Sequence, residues 1–242
     1  MSTLENPEEG GTFKVKATKR PRPVVTTDGD GVVSHAGSYL LVELADRVGL
    51  TAALSRELAC LQRRRRAHNP GEVLRDLAVS IADGGDCLSD LTVLHNQPDL
   101  FGEVASLPTA WRVIDALATD FDLAPVRQAR AKARAHAWKH GVRPDHITLD
   151  FDATLVTAHS EKQGAAGTYK RGFGFHPLLC SVSETDEILA GLLRPGNAGA
   201  NHAGDHIRVL DAALEQLPAR AEDAPPMLAR ENGSCHLRRQ IQ

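Results

Sequence analysis

Residues 146–158 read HITLDFDATLVTA, and this stretch decides the architecture. Ile147, Leu149 and Phe151 alternate with Thr148, Asp150 and Asp152, the period-two pattern of a β-strand with one apolar and one polar face. Aspartate is disfavoured inside strands, so two on one face need a reason. Two positions apart on the same face, their Cβ atoms stand about 7 Å apart. Such a pair suits a divalent cation, because Mg²⁺ takes hard oxygen ligands from one or two carboxylates and from substrate phosphates. A plain solvent-facing strand edge explains the same pattern, and the pair by itself does not choose.

Working outward, a Gly-rich loop (GAAGTYKRGFG, 164–174) leads to a strand in FHPLLCSVS and another in EILAGLLRP. HAGDHIRVLDAALEQL, following Asn201, has the apolar spacing of an amphipathic helix, and Met227-Leu228-Ala229-Arg230 reads as a last strand. Three strands, a helix and a strand is the order of a ribonuclease-H-like core.

Upstream of Pro144 the periodicity is helical throughout. Leu40, Leu41, Leu44, Ala45 and Val48 form one stripe, closed by Gly49. Thr51 is placed to cap TAALSRELACLQRRRR, which Asn69-Pro70-Gly71 should end. Val73, Leu74, Leu77, Ala78 and Ile81 form a third stripe, and further helices are expected over Leu88–Asn96, from Pro108-Thr109, and over 121–141. Trp111 and Trp138 fall on apolar helix faces and are expected in the core. The fold class is therefore α+β: a basic, flexible arm (1–35), a helical region (36–143), and a region with the strand order of a ribonuclease-H-like core (144–242).

Composition restricts the function classes. No apolar run approaches the roughly 18 residues that span a bilayer, and MSTLENPEEGG has no signal-peptide core, so a cytoplasmic, nucleoid-associated protein without a membrane partner is expected. The four cysteines (Cys60, Cys87, Cys180, Cys235) make no Cys-x-x-Cys pair and read as reduced thiols. Net charge is only −3, but Arg63, Arg64, Arg65 and Arg66 are contiguous, and Val126–Arg143 holds six Lys and Arg with no acid. Phosphate backbones respond to such local concentrations. The arginine run also complements a helix C-terminus.

The run DFDATLVTAHSEKQGAAGTYKRGFGFHPLLC, then LAGLLRPGNAGAN and DHIRVLDAALEQLP, resembles the catalytic core of insertion-sequence transposases of the acidic-triad (Asp-Asp-Glu) type common in actinobacteria. DGDGVVSHAGSYLL, RRRRAHNPGEVLRDLAV, ADGGDCLSDL and LFGEVASLPTAWRVIDAL resemble the same group, so the likeness runs from about Thr27 to Arg230. It implies that 36–143 is a DNA-binding or oligomerisation region, that 144–242 is an incomplete ribonuclease-H-like catalytic domain, and that the protein binds DNA at the element's terminal inverted repeats with Mg²⁺- or Mn²⁺-dependent strand cleavage and transfer. It places the first catalytic, metal-holding acid at Asp152, in Asp152-Ala153-Thr154, with Asp150 as an auxiliary. It places the second at Asn232, a departure, because an amide offers one carbonyl oxygen and no charge. Glu231 beside it belongs to the other strand face. The third acid has no counterpart before Gln242, so a C-terminally truncated copy lacking catalysis is expected. The alternative is a non-catalytic DNA-binding fragment that represses an intact transposase by mixed oligomerisation.

Lys162, Tyr169, Lys170 and Arg171, in the loop after the first strand, are candidates for gripping DNA, with Tyr169 stacking a base; a solvated loop is the plain alternative. Ala45 and Gly49 have helix-turn-helix spacing, which two helices packing for their own sake also explain. His202 and His206, four apart, match a zinc pair in principle but read better as the polar entry of a helix.

Overall fold

The computed structural model describes residues 35–62, 67–120, 123–158, 161–199, 201–218 and 227–231. The chain separates into two compact units, Met1–Pro125 and Val126–Gln242.

The first unit is helical: α1 (Ser38–Arg47), α2 (Leu50–Glu57), α3 (Pro70–Ala82), α4 (Thr92–His95), α5 (Pro98–Phe101) and α6 (Leu107–Asp120). Gly49, at φ 76°, turns α1 into α2 and is the N-cap; Thr51, expected as the cap, lies inside α2, where its carbonyl accepts the Ser55 hydroxyl at 2.7 Å. Asn69-Pro70-Gly71 begins α3 instead of ending α2. The Asn69 side chain accepts the Gly71 N–H at 2.9 Å and Pro70 fills a first-turn position that needs no donor. A Cβ on Gly71 would sit 2.2 Å from the Ser55 nitrogen, so glycine permits the close crossing of α2 and α3. The core of this unit gathers Val42, Val73, Val79, Leu91, Leu94, Leu100, Phe101 and Ala110.

Two stripes face differently from their sequence reading. On α1 the buried residues are Ser38, Val42 and Ala45, while Leu40, Leu41 and Leu44 are exposed. On α3, Ala78 and Ile81 are exposed, whereas Arg75 and Asp76 are buried. The reason is an ion pair: Arg75 Nη2 and Nε lie 2.6 and 2.9 Å from Asp76 Oδ1, and Arg75 Nη1 is 3.8 Å from Asp46 Oδ1. Charges matched in this way enter a core, and they rotate α3 by roughly one residue. Trp111 is also not core: it is 61% exposed, because α6 buries Ala110 and Leu117, one step around the helix.

The second unit contains most of α7 (Ala124–Ala137), then β1 (Ile147–Ala153), β2 (Val156–Thr157), β3 (Ala166–Gly167), β4 (Phe173–Phe175), β5 (Leu178–Val182), β6 (Glu187–Leu192), α8 (Ala203–Leu214) and β7 (Met227–Glu231). The main sheet runs β6-β5-β1-β7. β5 pairs antiparallel with both β6 and β1, and β7 pairs parallel with β1. α8 lies between β6 and β7 in the chain, as a parallel return requires. Where the sequence suggested only a loop, a second, three-stranded sheet of order β2-β4-β3 forms. Two- and three-residue strands carry no readable periodicity. A Cβ on Gly174 would lie 2.1 Å from the Val156 carbonyl, so that glycine lets β2 and β4 meet.

Ile147, Leu149 and Phe151 bury one face of β1 together with Leu178, Cys180 and Val182 of β5, and Val209 and Ala213 of α8 close over them; Trp138 packs against this core. The buried Arg134 of α7 reaches both carboxylate oxygens of Glu187 and the Gln216 carbonyl. Arg130 donates to the Ile188 carbonyl, and burial, with Arg134 beside it, lowers the Arg130 guanidinium below its usual value. Burial and the charge of Asp150 push the Cys180 thiol up to about 12.

Leu149→Ala should destabilise the protein by about 3 kcal/mol in urea unfolding, from lost burial plus the cavity left behind. At mildly alkaline pH, iodoacetamide followed by peptide mass spectrometry should label the exposed Cys60 and Cys87 in the folded protein, and Cys180 only after denaturation.

Candidate functional site

Asp152 is exposed near the C-terminal end of β1, on the face opposite the core, its backbone paired with Leu179. Asp150, two residues earlier on that face, is half-buried and accepts a hydrogen bond from Ser183 Oγ at 3.3 Å. One carboxylate is thus braced within the sheet while the other is open to solvent. On the far side of β1 the last paired residues are Phe151 and Glu231. The residues next in sequence are Asp152 and Asn232; Asn232 lies outside the described residues, as do Arg63, Arg64, Arg65 and Arg66.

The β3–β4 hairpin carries Tyr169, Lys170 and Arg171 at its tip, with Lys162 in the turn that enters β3. Lys170 Nζ is 5.7 Å from the Tyr169 ring centre, and that ring is 6.0 Å from the His176 ring. The hairpin returns to the Asp152 end of the sheet: Thr154 N–H donates to the Pro177 carbonyl at 3.3 Å, and Ala153 pairs with Leu178.

A polar network behind this hairpin escaped the sequence reading. Arg194, only 3% exposed, donates through Nε to the His176 carbonyl (2.9 Å) and through Nη1 to the Gly199 carbonyl (2.9 Å) and Asp205 Oδ2 (3.2 Å). His176 Nδ1 is 2.8 Å from the Ala198 carbonyl. One guanidinium therefore ties the start of β5, the 195–199 loop and the first turn of α8 together. The only sequence signal was the Arg194-Pro195-Gly196-Asn197 phrase following a strand.

His202 and His206 do not form a metal pair. His202 is the N-cap of α8, its Nδ1 3.3 Å from the Asp205 N–H and 3.4 Å from Asp205 Oδ1; neutral, it accepts the first contact, and protonated, it pairs with the second. The His206 ring packs 5.9 Å from Phe151. Among the described residues no group of three or more His, Cys, Asp or Glu is gathered closely enough to hold a metal. Asp150 and Asp152 have the hard-oxygen chemistry of a Mg²⁺ site, but these two do not enclose an ion.

A family model described as "Transposase DDE domain group 1" matches residues 15–229. The chain belongs to this transposase family. The curated proteins and the solved structures compared with it yield no match. Membership makes this a transposase DDE chain, implying DNA as substrate and the divalent metal that such transposases normally use. Among the described residues, no helix is long and apolar enough to cross a membrane.

Burial would raise the Asp205 carboxyl, but the Arg194 hydrogen bond and the nearby His202 bring it below the usual carboxylate range. A depressed folded value stabilises the protein above the unfolded value, about pH 4, and this contribution is lost as pH falls through the folded value. Asp205→Asn should therefore lower stability at neutral pH, with the gap from the parent protein closing below about pH 4 in urea titrations run across pH.

Proposed function

We propose that the chain is the transposase of an insertion sequence, with a ribonuclease-H-like second unit in which Asp152 is the first metal-holding acid. The supporting observation is the exposed Asp152 at the C-terminal end of a central strand, flanked by antiparallel β5 and parallel β7. Strand order β6-β5-β1-β7 with α8 between β6 and β7 is the arrangement expected of such a core. Asp150 is the auxiliary carboxylate, held by Ser183 and adding negative charge without ligating. Asn232, at the second acid position, contributes a neutral carbonyl oxygen, which lowers cation affinity. A bound Mg²⁺ or Mn²⁺ would supply activation of the attacking hydroxyl and stabilisation of the leaving oxygen at the scissile phosphate.

The chain's own residues present the DNA. Lys162, Lys170 and Arg171 take the backbone beside the acid, and Arg63, Arg64, Arg65 and Arg66 take phosphates elsewhere along the duplex. The helical unit binds the terminal inverted repeats, and two copies of the chain pair the two ends. The work is done on chromosomal DNA in the cytoplasm.

A nicking assay with Mn²⁺ on inverted-repeat DNA tests this reading. Any cleavage by the chain should be abolished by Asp152→Asn, with gel retardation in the absence of metal unaltered. Asn232→Asp should raise cleavage by tenfold or more, on the order of a neutral ligand replaced by a charged one. Cleavage unchanged in Asp152→Asn would remove this residue from the reaction.

A further inference from the structure

The β3–β4 hairpin combines features that a solvated loop does not need. Tyr169 is 71% exposed and Phe173 38%, two aromatic rings within five residues of surface. Phe173, Phe175 and Val156 share one face of the small sheet, since Val156 pairs with Phe175 and Phe173 lies two residues before it; Val156 is itself 47% exposed. Lys170 and Arg171 have no ion-pair partner among the described residues, so the rings are bordered by uncompensated positive charge.

The hairpin is also built to hold its shape. Thr168 N–H donates to the Gly172 carbonyl at 2.8 Å, Arg171 N–H to the Thr168 carbonyl at 3.0 Å, and Gly172 N–H to Thr168 Oγ1 at 3.0 Å. Arg171 is held at φ 62°, a left-handed conformation that a non-glycine residue adopts only under constraint. At the base, a Cβ on Gly196 would lie 2.4 Å from the Ala166 carbonyl and 2.7 Å from that of Gly174, and Phe175 bridges to Pro195. The loop that Arg194 anchors thus clamps the hairpin. Its tip stays at the Asp152 end of the sheet, because the chain passes from His176 through Pro177 directly into the pairing of β5 with β1.

Exposed aromatics with adjacent cations on a rigid support are how unpaired nucleobases are held, since every base offers a face for stacking whatever its sequence. We infer that this hairpin is a stacking finger that takes unpaired bases of a DNA end presented to Asp152, with Tyr169 as the stacking residue. This rests on the transposase reading and adds the form of the DNA: a splayed end in preference to a closed duplex. Lys170 and Arg171 bind either form through phosphate.

The test uses the full chain without metal and two mixed-sequence oligonucleotide duplexes, one fully paired and one with unpaired terminal nucleotides, each with 2-aminopurine at the end. The parent protein should bind the splayed end about tenfold more tightly, the scale of one stacked base, and quench its 2-aminopurine fluorescence. Tyr169→Ala should lose the preference and the quench while keeping its affinity for the paired duplex. Tyr169→Phe should keep the preference and the quench, and the duplex affinity that Tyr169→Ala retains through Lys170 and Arg171 excludes a collapsed hairpin as the cause. Lys170→Ala/Arg171→Ala should weaken both duplexes equally and reduce the salt dependence. Equal affinity for the two duplexes, or a quench that survives in Tyr169→Ala, overturns the finger and leaves the transposase reading intact. Tighter binding of single-stranded RNA of the same sequence also overturns it. Failure to bind any of the oligonucleotides defeats both.

Discussion

Everything in the second unit follows from the position of β1. It is hydrogen-bonded on both sides, antiparallel to β5 and parallel to β7, so its pleat is fixed and a slip by one residue would reverse both faces. With this register, Ile147, Leu149 and Phe151 must go under α8, and Asp150 and Asp152 must emerge opposite. The apolar burial that stabilises the strand is therefore also what aims the carboxylate. No hinge or flexible segment is needed to present it.

Around that strand the protein uses buried arginines as ties. Arg134 joins α7 to β6 and to the C-terminal end of α8, and Arg194 joins β5, the 195–199 loop and the beginning of α8. In the helical unit the buried Arg75 pairs with Asp76 of its own helix and comes within 3.8 Å of Asp46 on α1. The guanidiniums of Arg134 and Arg194 each spread several donors in a plane and so satisfy carbonyl and carboxylate groups from separate elements at once. In a chain with few aromatic residues, these ties do work that bulky ring packing performs elsewhere. They also explain why the base of the hairpin is rigid although its strands are only two or three residues long.

What the sequence made legible was the periodic part. The alternation of 147–152, the strands at 178–182 and 187–192, the helix after His202 and the final strand are all present, because long runs with one buried face leave a regular signal. The helical faces of α1 and α3 were misread for a single reason: the apolar count assumed that charges stay outside, and the Arg75–Asp76 pair goes inside. Thr51 is not the expected cap because Gly49 supplies the left-handed turn into α2, and Asn69 caps α3 instead of ending α2. The small sheet and the Arg194 network were hidden because they depend on close backbone approaches at Gly174 and Gly196 and on contacts distant in sequence. At the site, the Asp-x-Asp spacing was readable, whereas the unequal environments of Asp150 and Asp152 required the position of Ser183.

The central claim is that Asp152, and not its neighbour, offers its carboxylate to a divalent cation from the exposed face of the central strand β1. Paramagnetic broadening of amide resonances by substoichiometric Mn²⁺ in ¹⁵N-labelled protein measures this directly. Preferential loss of the Asp152 and Leu179 amide signals, abolished in Asp152→Asn and retained in Asp150→Asn, is the result the proposal predicts. Broadening centred elsewhere, or unchanged by Asp152→Asn, would contradict it.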